Sequence, residues 1–257
     1  MTVVSREGSK TARRSVDPIT ATPTLVTSAV EAVRESIYSG RLGPGQRLVE
    51  ADLAQQLGIS RAPLREALHL LGKEGLVVTV PRHSKFVQDV DAASVDEVYS
   101  LRTVLERYAV QRVIALAGSD GVSQLRQVLA EMREAAEAGN RELTARLDVA
   151  FHTKLYELAK HSLLERAWHE NIAGKLQIVF NATKSADPAL KEPVRKHELI
   201  VKAIASGNVE RATDLVTRHI DDAWHRAQRT LKGRAAPSSP SEPRQVARSS
   251  RRVTPQG

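Results

Sequence analysis

ADLAQQLGISRAPLREALHLLGKEGLV, residues 51–77, decides the fold. Leu53, Ala54, Leu57, Ile59, Leu64, Ala67, Leu68 and Leu71 make an apolar set that recurs at helical spacing on both sides of one glycine. A helix over about 50–57 ends at Gly58, a residue suited to a left-handed C-terminal position. Ser60 is a candidate N-cap for a second helix over about 61–73, and Gly75 closes it. Helix, tight turn and helix make a helix-turn-helix.

The flanks extend this unit. Residues 24–39 place Leu25, Ala29, Val33 and Ile37 on one stripe, and GRLGPGQRL then breaks the chain. Downstream, LVVTVPRHSKFVQDV carries Val-, Leu- and Phe-rich arms around PRHSK and reads as a β-hairpin. With its basic tip it would form a wing. From about Ala92 only helical patterns occur, over roughly 92–117, 121–138, 140–160, 162–183, 190–206 and 208–231. The expected fold is mainly α: a winged helix-turn-helix of three helices and a small hairpin, then an all-α bundle of six or seven helices.

Both ends differ in composition. Residues 233–257 are rich in Pro, Ser and Arg, with almost no apolar periodicity. The expected organisation is a disordered tail over 1–22, a DNA-binding domain over 23–90, a helical effector- and metal-binding domain over 91–232 and a disordered basic tail over 233–257. The 257 residues are 41% hydrophobic, contain no cysteine and carry a net charge of +8. The absent cysteines exclude disulfides, thiolate metal sites and cysteine nucleophiles. No apolar run approaches the ~20 residues of a membrane span, and the N-terminus lacks a secretory apolar core, so a cytoplasmic location is expected. The excess charge sits at the ends: residues 1–22 carry +2, 233–257 carry +4, 23–88 carry +2, and 89–232 are neutral. Global charge is thus weak support for a polyanion partner, and the argument must rest on local placement.

The helix-turn-helix supplies that placement. With the apolar set turned inward, Ser60, Arg61 and Arg65 stand exposed at the N-terminal end of the second helix. In this motif that end enters the major groove. Arginine there reads guanine bidentately or clamps phosphate. Arg82, His83 and Lys85 at the hairpin tip would reach the DNA backbone or minor groove. The plainer alternative is a helical hairpin with solvated arginines.

LDVAFHTKLY, residues 147–156, raises a second question, since Asp148 and His152 stack one turn apart. His197 lies in the stripe Val194, His197, Val201, Ile204, and His219 lies among Ala212, Leu215, Val216 and Ala223. An unpaired buried carboxylate is costly. A divalent cation would satisfy all four side chains; equally, they could be hydrogen-bonded core residues. His161, His169 and His225 fall off the stripes or in breaks.

On LGPGQRL (42–48), LAQQLGISRAPLREAL (53–68) and KEGLV (73–77), the first part resembles the winged-helix domain of GntR-family transcriptional regulators. The remainder resembles the FadR-type effector-binding domain, called FCD. LRTVLE (101–106), DVAFH (148–152) and the histidine-bearing segments 196–208 and 211–220 carry that resemblance. It departs at the wing, where the family commonly has glycine and this chain has Ser84. The resemblance implies a metal held by Asp148, His152, His197 and His219, with zinc first among zinc, nickel, manganese and iron. It also implies a small organic acid effector met by Arg102, a homodimer, and operator DNA as partner. Arg102 has a second reading, as partner of Glu106 one turn on. The expected function is a ligand-responsive regulator, repressor rather than activator, and not an enzyme. Two alternatives stand beside it: a metal-dependent hydrolase with an accessory DNA-binding module, and a regulator whose metal is purely structural.

Overall fold

The computed structural model describes residues 24–80, 84–183 and 190–232. Both expected tails, and Arg82 and His83 of the wing tip, lie outside the described residues. Among the described residues two compact units form, one from 24–80 and 84–90 with 162–182 and the other from 91–161 with 183 and 190–232.

In the first unit, α1 (Leu25–Tyr38) starts at Thr24, whose side chain accepts a hydrogen bond from the Thr27 amide. It buries Ala29, Val30, Val33 and Ile37. Leu25, expected on that stripe, is 62% exposed, and Val30 takes the core position. A short strand, β1 (Arg47–Leu48), leads to α2 (Glu50–Leu57) and α3 (Arg61–Lys73). Between these helices Gly58 adopts φ +65°, and the Ile59 amide reaches back to the Ala54 carbonyl at 3.0 Å. That left-handed conformation is open to glycine at little cost. Leu64, Ala67, Leu68 and Leu71 are buried as expected. Each fully buried leucine contributes roughly 1.5–3 kcal/mol.

The hairpin is β2 (Val77–Val80) and β3 (Ser84–Val87), antiparallel with Val77 opposite Val87 and Val80 opposite Ser84. β1 adds a third strand that the sequence reading lacked, in the order β1-β3-β2. Two residues are too few to show any periodicity. Arg34 joins α1 to the end of α3 through both carboxylate oxygens of Glu74, at 2.6 and 3.1 Å.

The segment expected as one helix over 162–183 divides into α7 (Ser162–Trp168), a π-helical turn (His169–Ala173) and α8 (Gly174–Thr183). The wider i→i+5 turn shifts register so that Trp168, Ile172 and Leu176 are all fully buried. Ile178 joins the core of the helix-turn-helix. Asn181 donates to the Ile37 and Tyr38 carbonyls, both at 2.9 Å, satisfying the C-terminal end of α1. A Cβ on Gly174 would lie 2.8 Å from Leu76 Cδ2, so only glycine lets α8 approach this closely.

The second unit gathers α4 (Ala92–Leu116), α5 (Gly118–Glu137), α6 (Arg141–Leu158), α9 (Lys191–Ala205) and α10 (Val209–Lys232). Asp91 and Ser94 form a reciprocal capping box on α4. Gly118, between the expected helices 92–117 and 121–138, begins α5 with only Ala117 separating it from α4. Asn140 caps α6, and Asn208 Oδ1 accepts from the Arg211 amide at 2.9 Å at the start of α10. Phe151, Leu155, Ile200, Val216 and Ile220 are among the fully or nearly fully buried apolar residues of this unit. Among the described residues no helix is long and apolar enough to cross a membrane.

Candidate metal centre

Three helices of the second unit supply polar side chains to one buried place. α6 presents Asp148 and His152 one turn apart, α9 presents His197 and α10 presents His219. All four residues are buried, and one ligand atom from each lies within 4.8 Å of the others. Of the histidines that fall off the stripes or in breaks, His169 and His225 are exposed and His161 is half-buried. Phe151 fixes two of the rings by edge contacts, 4.5 Å to His197 and 5.4 Å to His152 between ring centres.

The hydrogen bonds assign the imidazole protons. His197 Nδ1 lies 2.7 Å from the Pro193 carbonyl, an acceptor only. His152 Nδ1 lies 2.8 Å from Glu106 Oε2. His197 Nδ1 must therefore donate, and the carboxylate facing His152 Nδ1 favours a proton there too; a neutral ring protonated at Nδ1 keeps its lone pair on Nε2. Yet His152 Nε2 lies 3.2 Å from His197 Nε2 and 3.2 Å from His219 Nε2. Facing lone pairs repel unless a cation sits between them. Asp148 adds its charge, with Oδ1 3.4 Å from His197 Nε2. Asp148 Oδ2 is buried without a hydrogen-bond partner among the described residues. A metal bound at ~2.1 Å sets neighbouring donors ~3.0–3.4 Å apart. The residues fit a divalent ion.

Protonation reinforces this. Burial pushes His197 down to about 4, against the pull of Asp148 in the other direction. Burial, then the neighbouring His197 and His152, holds His219 well below the usual imidazole range. Neutral imidazoles are the form that binds metal.

Behind His152 stand two more charges from α4. Arg102 and Glu106 are both 0% exposed, and Arg102 Nε lies 2.5 Å from Glu106 Oε1. Burial alone would raise the Glu106 carboxyl; Arg102 and then His152 outweigh it and hold it at about 2. The guanidinium thus pairs with Glu106, one of its two expected readings. Its Nη1 and Nη2 remain buried without hydrogen-bond partners among the described residues. The role of Glu106 behind His152 was missed at the sequence level. The available signal was two charges inside the otherwise apolar stripe Val95, Val98, Tyr99, Ala109, Val110 and Val113.

In the first unit, Ser60, Arg61 and Arg65 are all exposed. Ser60 occupies the N-cap of α3 with extended backbone, but its side chain makes no capping bond. Arg65 is held by Glu50, with Nε and Nη2 at 3.1 and 2.9 Å from one oxygen. Lys85 lies on β3, 3.4 Å from the Thr79 hydroxyl.

Residues 25–87 match the gntR family of bacterial regulatory proteins, and residues 97–222 match the FCD domain. The probable D-xylose utilization operon transcriptional repressor of Paenarthrobacter nicotinovorans is 30% identical over 200 residues, spanning 77% of this chain and 87% of the relative. This chain belongs to the GntR family. The uncharacterized HTH-type transcriptional regulator YdhC of Bacillus subtilis is 29% identical over 190 residues, 74% of this chain and 84% of that one. The fold of this GntR chain matches Escherichia coli McbR with a TM-score of 0.71 at 21% identity, covering 81% of this chain and 99% of McbR. As a GntR regulator with an FCD domain, it pairs a DNA-binding module with a helical domain that contains the four-residue cluster.

Proposed function

We propose that this GntR chain is a repressor that binds operator DNA as a homodimer and releases it when a small carboxylate enters a metal-bearing FCD domain. Asp148, His152, His197 and His219 would hold the metal, zinc before nickel, manganese or iron. The observation that carries the reading is the convergence of three imidazoles, with His152 Nε2 3.2 Å from both His197 Nε2 and His219 Nε2, beside the Asp148 carboxylate. When bound, the metal supplies an open position for a carboxylate oxygen. The Nη1 and Nη2 atoms of Arg102 supply the natural second contact, because a carboxylate accepts from guanidinium bidentately.

DNA contact falls to Ser60, Arg61 and Arg65 on α3, with Arg82, His83 and Lys85 on the wing. One such module reads one half-site, so two copies are needed for a palindromic operator. On α4, Leu101, Val104 and Tyr108 are exposed at helical spacing, an apolar face that pairing of two copies would cover. A repressor of operator DNA would act in the cytoplasm. The repressor assignment follows the D-xylose operon relative. A hydrolase would need a free base beside the metal; Glu106, the carboxylate behind His152, is committed to Arg102.

The test is elemental analysis of dialysed protein, then operator binding with and without small carboxylates before and after metal removal. Bound metal and a carboxylate that releases operator only from metal-loaded protein are expected. Protein free of metal after purification without chelators would overturn the reading.

A further inference from the structure

We propose that Glu106, clamped by Arg102, is the positioning residue that fixes the proton of His152 on Nδ1 and thereby keeps its Nε2 available to a metal. The inference rests on the reading of His152 as a ligand and assigns a role to two residues that touch no metal. Three facts carry it. Arg102, Glu106 and His152 are each 0% exposed, so water cannot substitute for any of the contacts. Glu106 divides its two oxygens, Oε1 to Arg102 Nε at 2.5 Å and Oε2 to His152 Nδ1 at 2.8 Å. Arg102 can only donate.

These facts make the carboxylate irreplaceable by its isostere. Two donors face Glu106, and a carboxylate accepts from both. Glutamine has one oxygen and one amide nitrogen. In Glu106→Gln, the permanently charged Arg102 claims the oxygen, because leaving a buried guanidinium unpaired is the costlier choice. The amide N–H then points at His152 Nδ1. The imidazole must accept there, so its proton moves to Nε2 and blocks the lone pair that the metal needs. The side chain keeps its volume while the tautomer inverts. A second change restores the first. In Arg102→Met with Glu106→Gln, no cation competes for the glutamine oxygen, and it is free to accept from His152 Nδ1. Replacing a buried ion pair by residues of similar volume is often tolerated.

The experiment uses full-length protein and two readouts. Zinc affinity is measured by chelator competition, and the His152 tautomer by nitrogen-15 NMR of metal-free protein. Wild type is expected to carry the His152 proton on Nδ1 without metal. Glu106→Gln is expected to carry it on Nε2 and to lose about 10–100-fold in zinc affinity, the usual cost of removing such an outer partner. The double variant is expected to return the proton to Nδ1 and to recover most of the affinity. Unchanged tautomer and affinity in Glu106→Gln would overturn the proposal. So would a double variant as weak as the single one with the proton still on Nε2. The tautomer is read without metal, so absence of zinc binding by wild type would defeat the metal reading and leave the relay to be judged by NMR.

Discussion

His152 and His197 aim their Nε2 atoms at each other across 3.2 Å, while each holds its Nδ1 proton against an oxygen behind it. Each ring thus has its donor engaged outward and its acceptor turned inward. The inward acceptors come from helices far apart in sequence, so the arrangement is a product of the fold.

Removing one inward donor should empty the centre. His219→Ala leaves Asp148, His152 and His197 with an incomplete set, and metal content of dialysed protein should fall from near stoichiometric to a small fraction. The variant should also lose the thermal stabilisation that bound metal contributes by mass action, about 2.7 kcal/mol at a hundredfold excess over Kd. Operator binding should persist, since Arg61 and Arg65 lie in the other unit. Equal metal content in the two proteins would remove His219 from the site.

Metal-stripped protein should lose stability in acid. His197 and His219 have folded values below the usual 6.5, and His197 is pushed to about 4. Below about 6.5 the unfolded chain binds protons at these rings that the folded chain refuses, so stability rises with pH from about 4 to 6.5. Glu106, held at about 2, acts in the same direction below its usual 4.5. Denaturant midpoints of apoprotein at pH 7 and pH 5 should show the lower value at pH 5. A midpoint that stays flat would contradict buried neutral imidazoles.

Arg61→Ala and Arg65→Ala should each weaken operator binding by about 1–3 kcal/mol. Both side chains are exposed, so thermal stability should change little. Titrations at fixed salt would measure this, and undiminished affinity in both variants would dismiss α3 as the reading helix.

Gly174→Ala should destabilise the first unit by about 1–3 kcal/mol, the usual cost of overfilling a packed site. The new methyl would meet Leu76 at 2.8 Å and the Glu74 carbonyl at 3.1 Å. Pairing it with Leu76→Ala should cost less than the sum of the two single losses if contact is the cause. A single variant as stable as wild type would mean that α8 moves freely away from Leu76.

Much of this was legible in the chain. Helical spacing marked α2, α3 and the buried faces of α9 and α10, because an apolar stripe of period 3.6 is a local signal. His197 and His219 announced themselves as imidazoles inside such stripes. Arg102 and Glu106 sat in a stripe as well, but nothing local tells whether a buried pair serves only itself or reaches a histidine on another helix. β1 was too short for periodicity. The place of Ile178 in the core of the helix-turn-helix depends on contacts across about a hundred residues, which no local pattern encodes.

The interrupted make-up of the first unit has a consequence for how such a protein can be cut or recombined. A fragment ending at Val90 contains α3 yet omits Gly174, Ile178 and Asn181, so Leu76 loses the α8 backbone packed against it and two carbonyls at the end of α1 lose the Asn181 amide. The match to the gntR family ends at residue 87, but the hydrophobic core does not. Grafting this head onto a foreign sensor would therefore require carrying Ser162–Ala182 along, or resurfacing the face that those residues cover.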